Sequence, residues 1–445
     1  MWDLVLRGGE LILPGGKTRS DLAVSGDQIA EIAPDISEAG IREIDARGKW
    51  IFPAGFDPHV HFNEPGRSHW EGFRTGSRAL AAGGYTAYAD MPLNSIPPTT
   101  TPEAFRAKLA AAAAGSLVDF ALWGGIVPGN LEALPELAAL GVIGFKAFMI
   151  DSGTSEFPAS DDLTLYRAMQ VAGELGLPVA VHAESAAIIA SLTREIRAQG
   201  GKFARDYLKS RPVLAEFEAV SRALLLAREA GCSLHVVHVT SAKALALIEQ
   251  ARQSGQPVSA ETCPHYLVFA EEDLESLGPV LKCAPPLRSR AEVADLWDAL
   301  LAGQADFVAS DHSPCAPELK NSADFFDVWG GISGAQTTLP VLLSAGLARG
   351  VLPEQIATWT ATAPACRFDI AKGELSLGFD ADFVIVDPNR EYRLEPEQLY
   401  YRYPISPYLG FRFTGVIEAV YLRGEMVFPF GNETKGKFLR PGRAV

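Results

Sequence analysis

Between Pro53 and about Cys366 the chain alternates short apolar runs with longer stretches whose apolar positions recur at helical spacing. The short runs read as buried strands, and the longer ones as helices with one apolar face. The apolar runs end near His59, Met91, Gly124, Phe148, His182, His238, Glu261 and Asp311. Helical spacing predicts helices that include Pro102 to Ala114, Leu131 to Leu140, Asp161 to Leu175, Ala215 to Ala230, Ala242 to Ser254, Arg290 to Ala302 and Thr337 to Leu347. Eight strand–helix units in one run predict an α/β fold, a (β/α)8 TIM barrel over residues 53–366, with its active site at the C-terminal ends of the strands. An open doubly wound sheet would carry a glycine-rich phosphate loop after its first strand, and GFDPHVH is not one.

The flanks have a different pattern. Residues 1–52 read as short strands at Leu4 to Arg7, Glu10 to Leu13, Asp21 to Val24 and Gln28 to Ile32, with turns at Gly8-Gly9, Pro14-Gly15-Gly16 and Gly26-Asp27. Strand patterns return within residues 367–445, at Gly378 to Asp387 and Val416 to Phe428. Neither flank is long enough to close a good core alone, so the two are expected to pair into one small β-sandwich, with a C-terminal tail.

Composition narrows the partners. The 445 residues are 48% hydrophobic, enough for a large core, and 39 Lys and Arg against 54 Asp and Glu leave a net charge of −15. That balance repels nucleic acid phosphates and anionic membranes, so neither is an expected partner. No segment approaches the ~18 apolar residues of a membrane span, and the first residues lack a secretory apolar region, which predicts a cytoplasmic protein. Cys232, Cys263, Cys283, Cys315 and Cys366 are scattered without CxxC spacing, so neither a disulfide framework nor a thiolate zinc site is expected.

The chemistry starts at His59-Val60-His61. Strand side chains alternate faces, so both imidazoles project to one side and offer half a metal site. Alone, the pair reads equally as two satisfied histidines at a strand end. Lys146, His182, His238 and Asp311 each close a predicted strand as well. Singly, Lys146 reads as a snorkelling side chain, His182 and His238 as core histidines, and Asp311 as a helix cap. Together, at the ends of strands one, four, five, six and eight, they read as metal ligands. A cationic lysine would repel the ions, but its neutral amine can take up carbon dioxide, and the resulting carbamate can bridge two divalent ions. Such N/O ligation suits zinc, manganese, cobalt, nickel or iron(II).

DPHVHFNEPGR (Asp57 to Arg67), DMPLNSIPPTT, GFKAF, AVHAE, VVHVTSAKAL, ETCPHYL, KCAPPLR, ASDHSPC, WGGISGAQTTLP, SPYLG and YLRGEMVF together resemble the cyclic amidohydrolases of the amidohydrolase superfamily, most closely the allantoinases among them. The resemblance implies a binuclear metal hydrolase. His59 and His61 with Asp311 would hold the more buried ion, His182 and His238 the other, and carboxylated Lys146 would bridge them together with a hydroxide. Asp311 would take the proton of the attacking water and pass it to the departing ring nitrogen. Dihydroorotases grip a substrate carboxylate with an Arg and two Asn, where this chain has Asn63, Leu93 and Ala284. Dihydropyrimidinases and hydantoinases carry a Tyr soon after the bridging lysine, whereas Met149 to Gly153 here contain none.

Asn63, Asn94, Ser313 and the backbone around Cys283 are neutral groups suited to a cyclic ureide such as allantoin, which would be opened to allantoate. Asn63 and Asn94 equally read as braces for their turns. His265 and His312 are expected to support the site or the fold, and His69 and His235 to be surface or packing residues. Loops at Ile150 to Asp161, Glu184 to Pro212 and Ser313 to Gly331 are expected to shape the substrate site. The resemblance also suggests a homo-tetramer. The alternatives are a hydantoinase, a dihydropyrimidinase, a dihydroorotase, or a dihydropyrimidinase-like scaffold without catalysis.

Overall fold

The computed structural model describes residues 1–431 and 436–442. Its barrel strands are β1 (Gly55–Val60), β2 (Tyr85–Asp90), β3 (Asp119–Leu122, continued by Gly124–Gly125), β4 (Phe145–Phe148), β5 (Val179–His182), β6 (Leu234–Val236), β7 (Val258–Thr262) and β8 (Phe307–Val308). Every neighbouring pair is parallel and every residue of these strands is buried, as both faces of a barrel wall require. The hydrogen-bond ladder breaks at Trp123, between the two parts of β3. Closure between the last and first strands comes from a parallel bridge of Val60 to His312, where His61 N–H donates to His312 O at 2.8 Å.

Caps explain where the crossover helices begin. Thr101, Asp161, Ser241 and Ser289 each accept a backbone N–H from three residues on, and each sits directly before a helix: Pro102–Gly115, Asp162–Glu174, Ala242–Gln253 and Arg290–Leu301. Glu292 completes a capping box with Ser289. These four follow the predicted spans closely. The segment Thr337 to Leu347 is less regular, with a short 3-10 turn, the helix Thr338–Val341 and a π-helical turn Leu342–Gly346. Glu184 to Pro212 is not a loop: it contains the helices Ala186–Ala198 and Ala204–Ser210, the second started by Asp206 accepting the Phe203 N–H.

Strands from both chain ends form one eight-stranded mixed sheet, the predicted β-domain of the termini. The two ends meet where Trp50–Pro53 pairs antiparallel with Phe383–Arg393, Ile51 opposite Ile385. Gly8-Gly9 is not a turn. It is a bulge inside one long strand, Trp2–Leu13, with Gly8 at φ 65° and its N–H donating to Asp21 Oδ1. The sheet is fastened to the barrel by the buried Lys372, whose Nζ lies 2.8 Å from Asp119 at the start of β3 and 2.8 Å from Asp382.

Candidate metal centre

Five of the six predicted ligands, His59, His61, His182, His238 and Asp311, line one cavity at the C-terminal ends of the barrel strands, and the buried Lys146 is close enough to act electrostatically on His59, His182 and His238. His59 and His61 leave β1, Lys146 lies in β4, His182 ends β5, and His238 and Asp311 follow β6 and β8. Asp311 Oδ1 is 3.2 Å from His59 Nε2 and 3.4 Å from His61 Nε2. The His59 ring is 5.5 Å from that of His238, which is 4.6 Å from that of His182. Lys146 and His238 are buried, and among the described residues Lys146 Nζ and His238 Nδ1 have no hydrogen-bond partner.

Electrostatics suit cation binding. Burial lowers the pKa of all four imidazoles, that of His59 to about 3, so they are neutral and able to ligate. Burial likewise pulls Lys146 down to about 7, which makes a neutral amine accessible near physiological pH. Asp311 is driven the other way: burial opposes its charge, but His59, His61 and His238 outweigh that and hold the carboxyl well below the usual range. An unpartnered buried lysine beside neutral imidazoles is costly as a simple cation. The donor set of four imidazoles, one carboxylate and one carboxylatable amine therefore fits a pair of divalent ions.

Supporting groups fix the rings, and the sequence patterns did not single them out. Glu261, at the end of β7, accepts His59 Nδ1–H on one oxygen and contacts His235 Nε2 at 3.1 Å with the other. The single proton of neutral His59 is thereby held at Nδ1, leaving Nε2 for an ion. Glu184 contacts His182 Nε2 at 2.8 Å and is itself paired with Arg211. His235, expected only to pack, is a buried bridge between Glu261 and Ser259 Oγ, 2.8 Å from its Nδ1. His312 faces away from Asp311, with Nδ1 accepting Gly334 N–H at 3.2 Å and Nε2 3.6 Å from Glu71. His69 is exposed. Asn63, Asn94, His238 and Asp311 all have positive φ, between 41° and 67°, so strained backbone concentrates around this mouth.

The cavity encloses about 400 Å³, within the range of small-molecule sites. Asn94, Cys283 and Ser313 line it, as do residues of all three predicted loop segments. Asn63 is not in the lining; its Nδ2 donates to Pro314 O at 3.2 Å. No Tyr lies in Met149 to Gly153, just after Lys146, and the Tyr207 that reaches the cavity has its hydroxyl engaged on Cys283 O at 2.9 Å. Phe148 stacks on His182, centroids 4.6 Å apart, and gives the cavity an apolar wall.

Residues 50–427 match the Amidohydrolase family. The chain is 53% identical over 446 residues to a protein of Solibacter usitatus named allantoinase, covering 99% of this chain and 97% of that one. It is 52% identical over 447 residues to the allantoinase of Rubrobacter xylanophilus, covering 99% and 98%. The solved L-hydantoinase (dihydropyrimidinase) of Arthrobacter aurescens superposes with a TM-score of 0.96 at 36% identity, covering 99% of this chain and 100% of that one. The chain belongs to the amidohydrolase family and, within it, to the allantoinase group.

Proposed function

We propose that this protein is an allantoinase, hydrolysing the ring amide of allantoin to give allantoate with two divalent ions held by His59, His61, Lys146, His182, His238 and Asp311. The observation that carries the reading is the buried, unpartnered Lys146 Nζ among neutral imidazoles and one carboxylate. The amidohydrolase family is metal-dependent. A carboxylated Lys146 would supply the two-oxygen bridge, with zinc the first expectation and manganese, cobalt, nickel or iron(II) equally compatible with the donors. Bound there, the ions would lower the pKa of a shared water and polarise the ring carbonyl.

The chain's own groups do the rest. Asp311, at the cavity floor, accepts the proton of the attacking water and returns it to the departing ring nitrogen. The neighbouring imidazoles keep its carboxyl ionised, as an acceptor must be. Phe148 and Tyr207 give the cavity aromatic lining, while Asn94, Ser313 and the backbone at Cys283 offer neutral hydrogen bonds to a ureide. Asn63 would act through the Pro314 backbone that it holds. Among the described residues no cation in the lining is free to grip a substrate carboxylate: Arg211 is paired with Glu184, and Lys282 donates to the Phe326 and Val328 carbonyls. That favours allantoin over dihydroorotate.

The same reading assigns residues 53–366 to catalysis and 1–52 with 367–445 to the β-sandwich. It also proposes a cytoplasmic homo-tetramer; among the described residues no helix is long and apolar enough to cross a membrane. Offering the purified protein allantoin, hydantoin, dihydrouracil and dihydroorotate tests the substrate. Allantoin should give the highest kcat/KM, and a preference for any of the other three would overturn the assignment.

A further inference from the structure

A second group of ligand atoms shares Asp311. Cys263 Sγ, a ring nitrogen of His265 and an Asp311 carboxylate oxygen all lie within 4.8 Å of one another. Cys263 and His265 lie just beyond β7, where Cys263 precedes the short helix Pro264–Val268 without capping it through its side chain. Both are buried, and among the described residues neither ring nitrogen of His265 has a partner. The neighbouring Tyr266 hydroxyl does not serve it, because it donates to Pro285 O at 2.6 Å. A buried polar group left unpaired is costly, and the His265 ring contains two.

Thiolate, imidazole and carboxylate together make a soft, small-coordination set. Ligands at about 2.0–2.3 Å from a tetrahedral ion lie about 3.3–3.8 Å apart, so the group closes on an ion with side-chain shifts on the order of 1 Å.

We propose that Cys263, His265 and Asp311 form a third cation site, selective for a soft divalent ion such as cadmium or excess zinc, whose filling stops turnover by drawing Asp311 away from the reacting centre. The binding stands on the geometry of the three side chains; the loss of turnover rests on the role assigned to Asp311 above. On binding, the Cys263 thiol gives its proton to solvent and its sulfur becomes a metal ligand, with no change of oxidation state. A sulfur ligand in the set suits only an ion with high thiolate affinity. Magnesium and manganese, which favour oxygen ligands, leave the site unfilled.

The test uses the metal-loaded enzyme, dialysed free of excess ions and titrated with cadmium chloride. Sulfur-to-cadmium ultraviolet absorption reports binding, and allantoin ring opening reports turnover. The wild type should show a band saturating near one equivalent and a parallel loss of rate. C263S should lose the band, keep its rate without cadmium, and need at least the roughly 10- to 100-fold more cadmium that losing even a supporting group costs a metal site. H265Q, which keeps the thiol, should weaken cadmium binding to the same order and so carries the test if C263S does not fold. No band in the wild type, a band and inhibition undiminished in C263S, or unchanged cadmium affinity in H265Q would each overturn the site. A band removed by C263S without any inhibition of the wild type would overturn the sharing of Asp311. If untreated wild type opened no allantoin at all, the substrate assignment would fail while the absorption test still stood.

Discussion

Replacing Glu261 separates the proposed ion pair from its support. One carboxylate oxygen accepts His59 Nδ1–H and the other faces His235 Nε2 at 3.1 Å. Glu261 is absent from the cavity lining, so it should influence metal affinity rather than contact with substrate. A Gln at this position can keep both hydrogen bonds, because His235 can shift its proton to Nδ1 and donate to Ser259 Oγ at 2.8 Å. Only the charge is lost. A bond to a charged group contributes about 1.5–3 kcal/mol and a neutral one about 0.5–1.5 kcal/mol, so Glu261→Gln should cost about 1–2 kcal/mol, or roughly 5- to 30-fold in metal affinity. Glu261→Leu also strips the acceptor from two buried imidazoles, adding about 1–3 kcal/mol for each. Competition with a chelator gives the affinity, and kcat at saturating metal gives the residual effect. The reasoning predicts Leu at least tenfold worse than Gln in affinity, with kcat of the Gln variant largely restored by excess metal. Wild-type affinity in the Gln variant, or a Leu variant no worse than Gln, would refute it.

Asp311→Asn should keep most of the metal and lower kcat by about 10²- to 10⁴-fold, the range for a general base; near-normal turnover would remove Asp311 from that role. Lys146→Ala should lose both metal, measured by elemental analysis, and activity, with part of each restored by a small carboxylic acid that fills the gap. Glu184 supplies a pH prediction. Burial disfavours its carboxylate, but Arg211 and His182 outweigh that and hold it at about 2, against an ordinary 4.5. A depressed folded pKa stabilises the fold above about pH 4.5 and loses that contribution as pH falls through about 2, on the order of 3 kcal/mol in all. Urea midpoints followed over this window should fall in the wild type and stay flatter in Glu184→Gln.

Strand ends made the candidate ligands legible because a parallel barrel aims all its C-terminal ends at one mouth. Lys146 and His182 stand inside β4 and β5 as the apolar runs implied. His238 and Asp311 lie two and three residues beyond their strands, β6 (Leu234–Val236) and β8 (Phe307–Val308). At both the backbone turns to positive φ and leaves the ladder, which no apolar pattern reports. Glu261 was visible as a strand end but not as a support, since its contact with His59 spans 202 positions and a lone Glu has no spacing to mark it. His235 was hidden for the same reason: its partners lie on the next strand, β7. Gly8-Gly9 misled because a bulge and a turn both ask for a glycine at positive φ. Asn63 carried the right chemistry for a substrate contact, and what no spacing could report is that its Nδ2 donates to Pro314 O, 251 positions away.

The most direct test of the ion site is an anomalous-difference map from crystals grown with bicarbonate and the preferred metal. Two peaks should appear among His59, His61, His182, His238 and Asp311, joined by added density on Lys146 Nζ. A map with no peak there, or with Lys146 as an unmodified amine beside a single ion, would contradict the binuclear account.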